Sequence, residues 1–554
     1  MAGQEIRVIP LGGAGEVGKN STAVEVDGDL VLIDAGVMFP QEEMHGIDLV
    51  IPDFGYVLDN IHRLRGIILT HGHDDHIGAL PYLLQQLPEN VPVYGTPLTL
   101  GMASSRAREL RVLDRARMYP VLPGESVALG GMQAEFFHVT HSVPDAAGII
   151  LRTSAGTLVH TGDFKLDPTP PDSYPTDLAR LREVGDAGVL VLLSDCVRVE
   201  MPGYTPSERI VGETLDRIVG EAKGRVIVTT FASNIGRLAQ TIRIAEQHGR
   251  KVAIAGRSMS QNLAVAEELG YLDLPPGVVV DLKQIRHLPP EKLVLLTTGS
   301  QGEPTSVLAR IAVEDHPQIR ITPDDTVVIA ANPVPGNEET VAHTIDNLFR
   351  RGAKVIYGAV AEGVHVSGHA GREELKELLR AVRPRFVVPM HGEFRHMVLY
   401  QALAGEVGIG PERVPLPEIG DTLVFSAKGA TTGERVEAGS VLVDGLSVGG
   451  VTQAVLRERG RLAEDGVLIA SIVVDKETGE LLSGPDLIAR GFAEAEPDHL
   501  LEEARERVVK ALERQGPGDA EYGFIVRKVH DTLGKYIYRE TKRRPMILPV
   551  VTEL

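Results

Sequence analysis

The chain has 554 residues, a formal charge of −20, 43% hydrophobic residues and one cysteine. That length exceeds what a single core organises and implies two to four domains, while the acidic balance excludes a protein that wraps nucleic acid by charge alone. The lone Cys196 excludes an intramolecular disulfide, and no apolar run reaches the roughly 18 residues of a membrane span.

The expected setting is therefore the cytoplasm, with no membrane association. The stretch Met1–Arg7 has no basic region followed by an apolar one, so no secretory leader is expected. A nucleic-acid ligand would have to be met in a local groove, where the field is set by nearby groups, with metal ions supplying part of the positive charge.

Short strand patterns open the chain at residues 6–11, 22–26 and 30–33, with turn residues such as Asp27-Gly28 between them. The glycine-rich stretch Gly12-Gly13-Ala14-Gly15-Glu16-Val17-Gly18-Lys19-Asn20 lacks the Gly-Lys-Ser/Thr ending of a phosphate loop, and no long helix pattern follows it. It reads as a tight turn that brings backbone near the cluster described next. Asp34 ends an apolar strand and can hydrogen-bond a ligand histidine from behind.

The densest signal is His71-Gly72-His73-Asp74-Asp75-His76, three histidines and two aspartates within six residues. An apolar strand pattern precedes it and a helix start at Ile77-Gly78-Ala79-Leu80 follows, so the cluster lies on a strand-to-helix loop. Imidazole with carboxylate is a ligand set for zinc or manganese.

Further strand patterns end in the same residue types. His141 follows Phe136-Phe137-His138-Val139-Thr140, with His138 on the extended segment; Asp163 follows Leu158-Val159-His160-Thr161-Gly162; Asp195 ends the apolar run from Val189. Strand ends that converge on one rim are how an α/β scaffold builds a site. From about residue 205, βα units repeat, which implies a parallel sheet covered by helices. Histidine then returns in Gly363-Val364-His365-Val366-Ser367-Gly368-His369 and, after a helix pattern at 372–380, in His391 at another strand end. The simplest organisation is a first domain at 1–205, an inserted domain at 206–350, completion of the first domain at 351–437, a linker at 438–454 and a small α+β domain at 455–554.

Seven candidate ligands emerge. His71, His73 and His141 can hold one metal; Asp75, His76 and His391 can hold a second; Asp163 is placed to bridge them. Two divalent ions about 3.5–4 Å apart can hold the attacking and leaving oxygens of a displacement. The nitrogen-rich set suits zinc best, with manganese the second candidate.

His71-x-His73-x-Asp75-His76 resembles the signature of the metallo-β-lactamase superfamily, and across the whole chain the sequence resembles ribonuclease J, of the β-CASP group of that superfamily. Gly12-Gly13-x-x-Glu16-Val17-Gly18-Lys19-Asn20 is similar to the family's N-terminal motif, Asp34, the 71–76 loop, His141 and Asp163 to the shared lactamase-fold motifs, and Asp195, His369 and His391 to the β-CASP motifs.

The resemblance implies an αββα sandwich with an inserted β-CASP domain and a small C-terminal domain. It also implies 5′-to-3′ exonuclease and endonuclease action on single-stranded RNA, in RNA maturation and mRNA decay. His369 is then the expected general acid, oriented by Asp195. Ser233 and Asn234, with His365, Val366, Ser367, Gly368 and His369, form two small polar loops expected to hold a 5′-monophosphate. Self-association through the C-terminal domain, as a dimer or tetramer, and association with other RNA-decay proteins complete the expectations. The competing readings are a DNA-directed β-CASP nuclease, a lactamase-fold hydrolase of esters or thioesters, and a silent RNA-binding subunit.

Overall fold

The computed structural model describes residues 4–41, 43–334, 336–478, 480–491, 497–513 and 522–554. The first three residues of the stretch read for a leader lie outside them. The chain divides into two compact units, one of residues 1–38 and 51–441, the other of residues 39–50 and 442–554.

Two sheets face each other in the first unit. One has eight strands in the order Gly429–Thr432, Leu423–Ser426, Ile6–Gly12, Ser21–Val26, Asp29–Ile33, Leu64–Ile68, Val91–Gly95, Ala116–Pro120. The other has six, in the order Phe386–Met390, Val191–Asp195, Gly156–His160, Ala147–Thr153, Met132–His138, Ser126–Leu129. Side chains alternate between the faces of a strand. Ile149, Leu151, Val191 and Leu193 accordingly pack with Val8, Val24, Val31 and Ile68 in the core between the sheets. Their neighbours Ile150 and Leu192 point the other way, into a second core with the helices Leu178–Ala187, Arg372–Val382 and Phe394–Glu406. Helix Pro97–Glu109 packs on strands Val91–Gly95 and Ala116–Pro120 of the first sheet. The layers are those of an αββα sandwich.

The second sheet contains the topological event that makes the site. Val191–Asp195 pairs in parallel with Phe386–Met390, so that Asp195 lies opposite Met390. Most of the intervening chain, from helix Arg209–Glu221 to strand Lys354–Ile356, forms a separate fold. Its sheet is parallel throughout, in the order Val279–Val280, Lys251–Ala255, Leu293–Thr297, Val226–Thr229, Thr326–Ile329, Lys354–Ile356. Its core joins Ile227, Ala253, Leu295 and Val327 to Leu308, Ile311 and Leu348 of the covering helices. The last strand, Lys354–Ile356, pairs with Thr326–Ile329. The sheet therefore extends one strand past residue 350, and the turns at residues 358–364 lead from its edge into the His365 loop.

The second unit contains the sheet Leu481–Arg490, Val467–Val474, Met546–Glu553. Leu468, Ala470, Ile472 and Val474 pack under helices Pro497–Glu513 and Tyr522–Thr541, with Ala504, Val508, Val529 and Leu533 opposite them. Leu482 and Ile488 on Leu481–Arg490, and Leu548 and Val550 on Met546–Glu553, are exposed. The stretch read as a linker holds the hairpin Ser440–Asp444 and Ser447–Val448. Within this unit Asp48 N donates to Val443 O at 2.9 Å, Gly445 N donates to Asp48 Oδ2 at 2.7 Å, and Arg459 pairs with Asp444. Among the described residues no helix is long and apolar enough to cross a membrane.

Candidate metal centre

Each candidate ligand sits where a strand ends. The strand Leu64–Ile68 leads into Thr70-His71-Gly72-His73, and the four-residue helix Asp74–Ile77 carries Asp75 and His76 in a single turn. His141 follows Met132–His138, Asp163 follows Gly156–His160, and His391 follows Phe386–Met390. Asp34 and His391 both adopt left-handed backbone conformations, φ 62° and 52°, which turn each strand end sharply at the rim.

The glycine-rich stretch holds this rim together. His391 N donates to Gly13 O at 2.6 Å, and Ala14-Gly15 pairs in parallel with Gly392-Glu393. Asn20 N donates to Asp75 O at 3.0 Å, and Asn20 Nδ2 lies 3.3 Å from Asp75 Oδ2. Gly36 must be glycine for the loop to close, since a Cβ there would stand 1.6 Å from Asp75 O.

The seven residues form two groups that share Asp163: His71, His73, His141 with Asp163, and Asp75, His76, His391 with Asp163. Within each group the candidate ligand atoms lie within 4.8 Å of one another. Asp163 Oδ2 is 3.6 Å from His71 Nε2, 3.1 Å from His76 Nε2 and 3.9 Å from His141 Nε2, and its Oδ1 is 2.9 Å from His391 Nδ1. Asp195 and His369 form a third group with Asp163.

The nitrogen atoms that face inward fit a cation. Asp34 Oδ2 accepts from His76 Nδ1 at 2.8 Å, and its carboxylate also takes Thr70 N and Thr70 Oγ1 at 2.8 Å each. That leaves His76 Nε2 with a lone pair 3.1 Å from the Asp163 carboxylate, an arrangement that needs a positive charge between them. His141 is set the same way: Nδ1 donates to Gly368 O at 2.8 Å, so Nε2 presents its lone pair 3.2 Å from His73 Nδ1. His71 Nε2 is buried without a hydrogen-bond partner. Buried orphans of this kind are rare unless something binds them.

The charge pattern agrees. Burial drives His71 and His141 well below the ordinary imidazole range, and drives His73 down to about 4. Burial opposes the charged form of His76 and His391 too, but Asp163, with Asp75 and other carboxylates, outweighs it, raising His76 well above the usual value and His391 to about 9. Burial would raise Asp163; His391 and His76 instead hold its carboxyl well below its usual range. Without a metal the site gathers protons in the place of cations.

Beside this centre, His369 Nδ1 donates to Asp195 Oδ2 at 2.7 Å. The His369 ring centroid is 5.0 Å from that of His141 and 5.3 Å from that of His391.

The two polar loops are joined by a residue that the sequence reading missed. Arg237, 1% exposed, pairs through Nε and Nη2 with both oxygens of Glu208 and donates to Ala330 O, Val366 O and His365 Nδ1. Burial, then the nearby Arg237 and Arg198, push His365 down to about 3, so it is neutral. Asn234 Oδ1 accepts from Arg237 N at 3.0 Å and caps the helix Ile235–Gln247, next to Ser233. Ser367 Oγ accepts from His369 N at 3.2 Å. The carbonyls of Val366 and Gly368 are committed to Arg237 and His141. Among the described residues the N–H groups of Val366, Ser367 and Gly368 donate no hydrogen bond.

Also missed were Asn20, Thr70 and Ser142, whose Oγ lies 2.6 Å from His73 Nε2. Ser142 adjoins a candidate ligand, and Asn20 ends the glycine-rich stretch, so both carried a positional hint. Arg237 carried none: it lies in an ordinary amphipathic helix.

Comparison with known proteins adds four matches along the chain. They are the metallo-beta-lactamase superfamily at residues 14–196, the beta-CASP domain of ribonuclease J at 223–348, the Zn-dependent metallo-hydrolase RNA specificity domain at 353–414, and the ribonuclease J C-terminal domain at 454–554. Ribonuclease J2 of Bacillus subtilis (strain 168) is 39% identical over 553 residues, covering 100% of this chain and 99% of that protein. Ribonuclease J 2 of Staphylococcus aureus (strain NCTC 8325 / PS 47) is 37% identical over 553 residues, with the same coverage. Among solved structures, a protein of unknown function from Enterococcus faecalis V583 shares the fold over 76% of this chain and 100% of its own, with a TM-score of 0.53 at 16% identity.

Proposed function

The chain belongs to the ribonuclease J family, and from that premise we propose that it hydrolyses single-stranded RNA at a two-metal centre, both from 5′-monophosphate ends and internally. The observation that carries this reading is the pair of ligand groups sharing Asp163 beside the His369–Asp195 pair. His71, His73, His141 and Asp163 would hold one divalent ion; Asp75, His76, His391 and Asp163 the other. Zinc fits the nitrogen-rich set best and manganese is the second candidate. Ions bound there supply Lewis acidity and charge neutralisation for phosphodiester hydrolysis.

The remaining roles belong to the chain. Asp34 fixes the His76 tautomer, and Gly368 O fixes that of His141. His369 directs Nδ1–H at Asp195, which leaves Nε2 to deliver a proton to the leaving 3′-oxygen; Asp195 fixes the orientation of the ring. The open N–H groups of Val366, Ser367 and Gly368, with Ser233 at a helix N-terminus, support a cradle for the terminal phosphate. His365, held neutral by burial and by Arg237, can donate to a phosphate without adding charge. Such a reaction fits RNA maturation and mRNA decay, with the cytoplasm as the expected setting. The exposed apolar side chains on the C-terminal sheet support self-association, as a dimer or tetramer; partners in RNA decay are a further expectation.

One assay tests the reading. Purified protein with Mn²⁺ or Zn²⁺ is given a 5′-monophosphorylated RNA, its triphosphorylated twin, the matching DNA and a thioester. Faster hydrolysis of the monophosphorylated RNA is expected. No RNA hydrolysis with either metal overturns the proposal; equal rates on DNA favour a DNA nuclease, and turnover of the thioester alone favours a small-ester hydrolase.

A further inference from the structure

Three cations lie within electrostatic reach of His365: Arg237, Arg198 and Lys165. Two of them have closed sets of partners. Arg237 is held by Glu208 and backbone carbonyls, and Lys165 Nζ by Pro206 O at 3.0 Å and Asp167 at 3.4 Å. Arg198 is different. Its Nε is buried without a hydrogen-bond partner, and among the described residues its guanidinium forms no ion pair.

The two carboxylates that act on Arg198 are already committed. Glu374 Oε1 takes Leu166 N at 2.7 Å, and Oε2 takes Thr205 N and Gly371 N at 2.6 Å each. Asp195 Oδ1 takes Val197 N at 3.0 Å, and Oδ2 takes His369. The backbone that carries Arg198 is also fixed. Val199 N donates to Cys196 O, Met201 N to Arg198 O, and Arg372 N to Met201 O, which ties the turn after strand Val191–Asp195 to the His369 segment. A partly buried guanidinium without an anion is costly, and its planar fork matches phosphate oxygens.

We propose that Arg198 is a substrate-binding residue whose guanidinium takes the 5′-terminal phosphate monoester of the RNA, alongside the open N–H groups of the 366–368 loop. This deepens the end-reading assignment made above and rests on it. Arg198 supplies the positive charge that a neutral His365 and a Glu208-paired Arg237 do not, and so sets the preference for a phosphorylated end.

The test uses the full-length, metal-loaded protein and its Arg198→Gln and Arg198→Lys variants. Matched RNAs carry a 5′-monophosphate or a 5′-hydroxyl. The ratio of kcat/KM between the two is expected to fall roughly ten- to hundred-fold in Arg198→Gln, through KM, the range for loss of one charge-assisted contact. Arg198→Lys should recover part of it. Calorimetric titration with uridine 5′-monophosphate should show a loss of similar size, with uridine as the control. An equal fall on both RNAs overturns the proposal, since it places Arg198 at the scissile phosphate or in the scaffold; so does an unchanged affinity for the nucleotide. If the unmodified protein does not discriminate between the two ends, the end-reading assignment fails. Arg198 is then judged by calorimetry alone: a lost affinity keeps it as a phosphate cation, and an unchanged affinity removes it.

Discussion

Asp34 Oδ2 accepts a hydrogen bond from His76 Nδ1 at 2.8 Å, and the same carboxylate is anchored by Thr70 N and Thr70 Oγ1. Asp34 therefore decides which ring nitrogen of His76 faces Asp163. Asp34→Asn should keep the fold and lower metal affinity roughly ten- to hundred-fold, the usual effect of losing such a partner. Competition with a chromogenic chelator measures this; unchanged affinity would remove Asp34 from the centre.

Metal uptake should expel protons. In the metal-free chain the carboxylates around them outweigh burial, raising His391 to about 9, so that it is protonated at pH 7.5, and raising His76 in the same direction. Coordination needs the neutral imidazole, so apparent affinity rises with pH and levels off above about 9. Titrations at pH 7.5 in buffers of different ionisation enthalpy should show one to two protons released. The sign for stability is the reverse. A raised folded value means that the proton's stabilisation is complete below about 6.5 and lost as pH rises through about 9. The thermal midpoint of chelator-treated protein should fall across that window, and a flat profile would contradict it.

His369→Ala and Asp195→Asn should separate proton delivery from metal binding. Both should retain two metals per chain while the rate falls, by roughly 10²- to 10⁴-fold for His369→Ala and less for Asp195→Asn. Elemental analysis with single-turnover rates distinguishes the cases. Loss of metal in His369→Ala would assign it to the ligands instead.

His76→Ala should abolish internal and end-directed cleavage alike, because both use the one centre. Ser367→Ala combined with His365→Ala should weaken end-directed cleavage more than internal cleavage. Equal loss of both modes in that double variant would count against the phosphate cradle.

The exposed Leu548 and Val550 lie on the outer face of the C-terminal sheet. Replacing both with lysine should shift the solution mass toward the monomer by light scattering, with little change in thermal midpoint. An unchanged mass would place the interface elsewhere.

The candidate ligands were legible in the sequence because a strand end followed by His or Asp leaves a local mark. The insertion was legible for the same reason: His391 repeats the mark after a run of βα units. The bonds that close the pocket were not. Arg237 and Glu374 read as ordinary surface residues of helices, and only the fold buries them against backbone C=O and N–H groups far along the chain, with Glu208 pairing Arg237. Strand Lys354–Ile356 has a strand-type composition, but nothing local in it tells whether it closes the inserted sheet or opens the returning first domain.

The pairing of Val191–Asp195 with Phe386–Met390 has a consequence for biosynthesis. The dense histidine loop leaves the ribosome early, but the strand that brings His391 to it emerges only after the whole inserted fold. Through most of its translation the nascent chain lacks the last candidate ligand of its second group and also His369. On the proposed mechanism, a nuclease made beside its own messenger stays inert until the sheet receives its last edge.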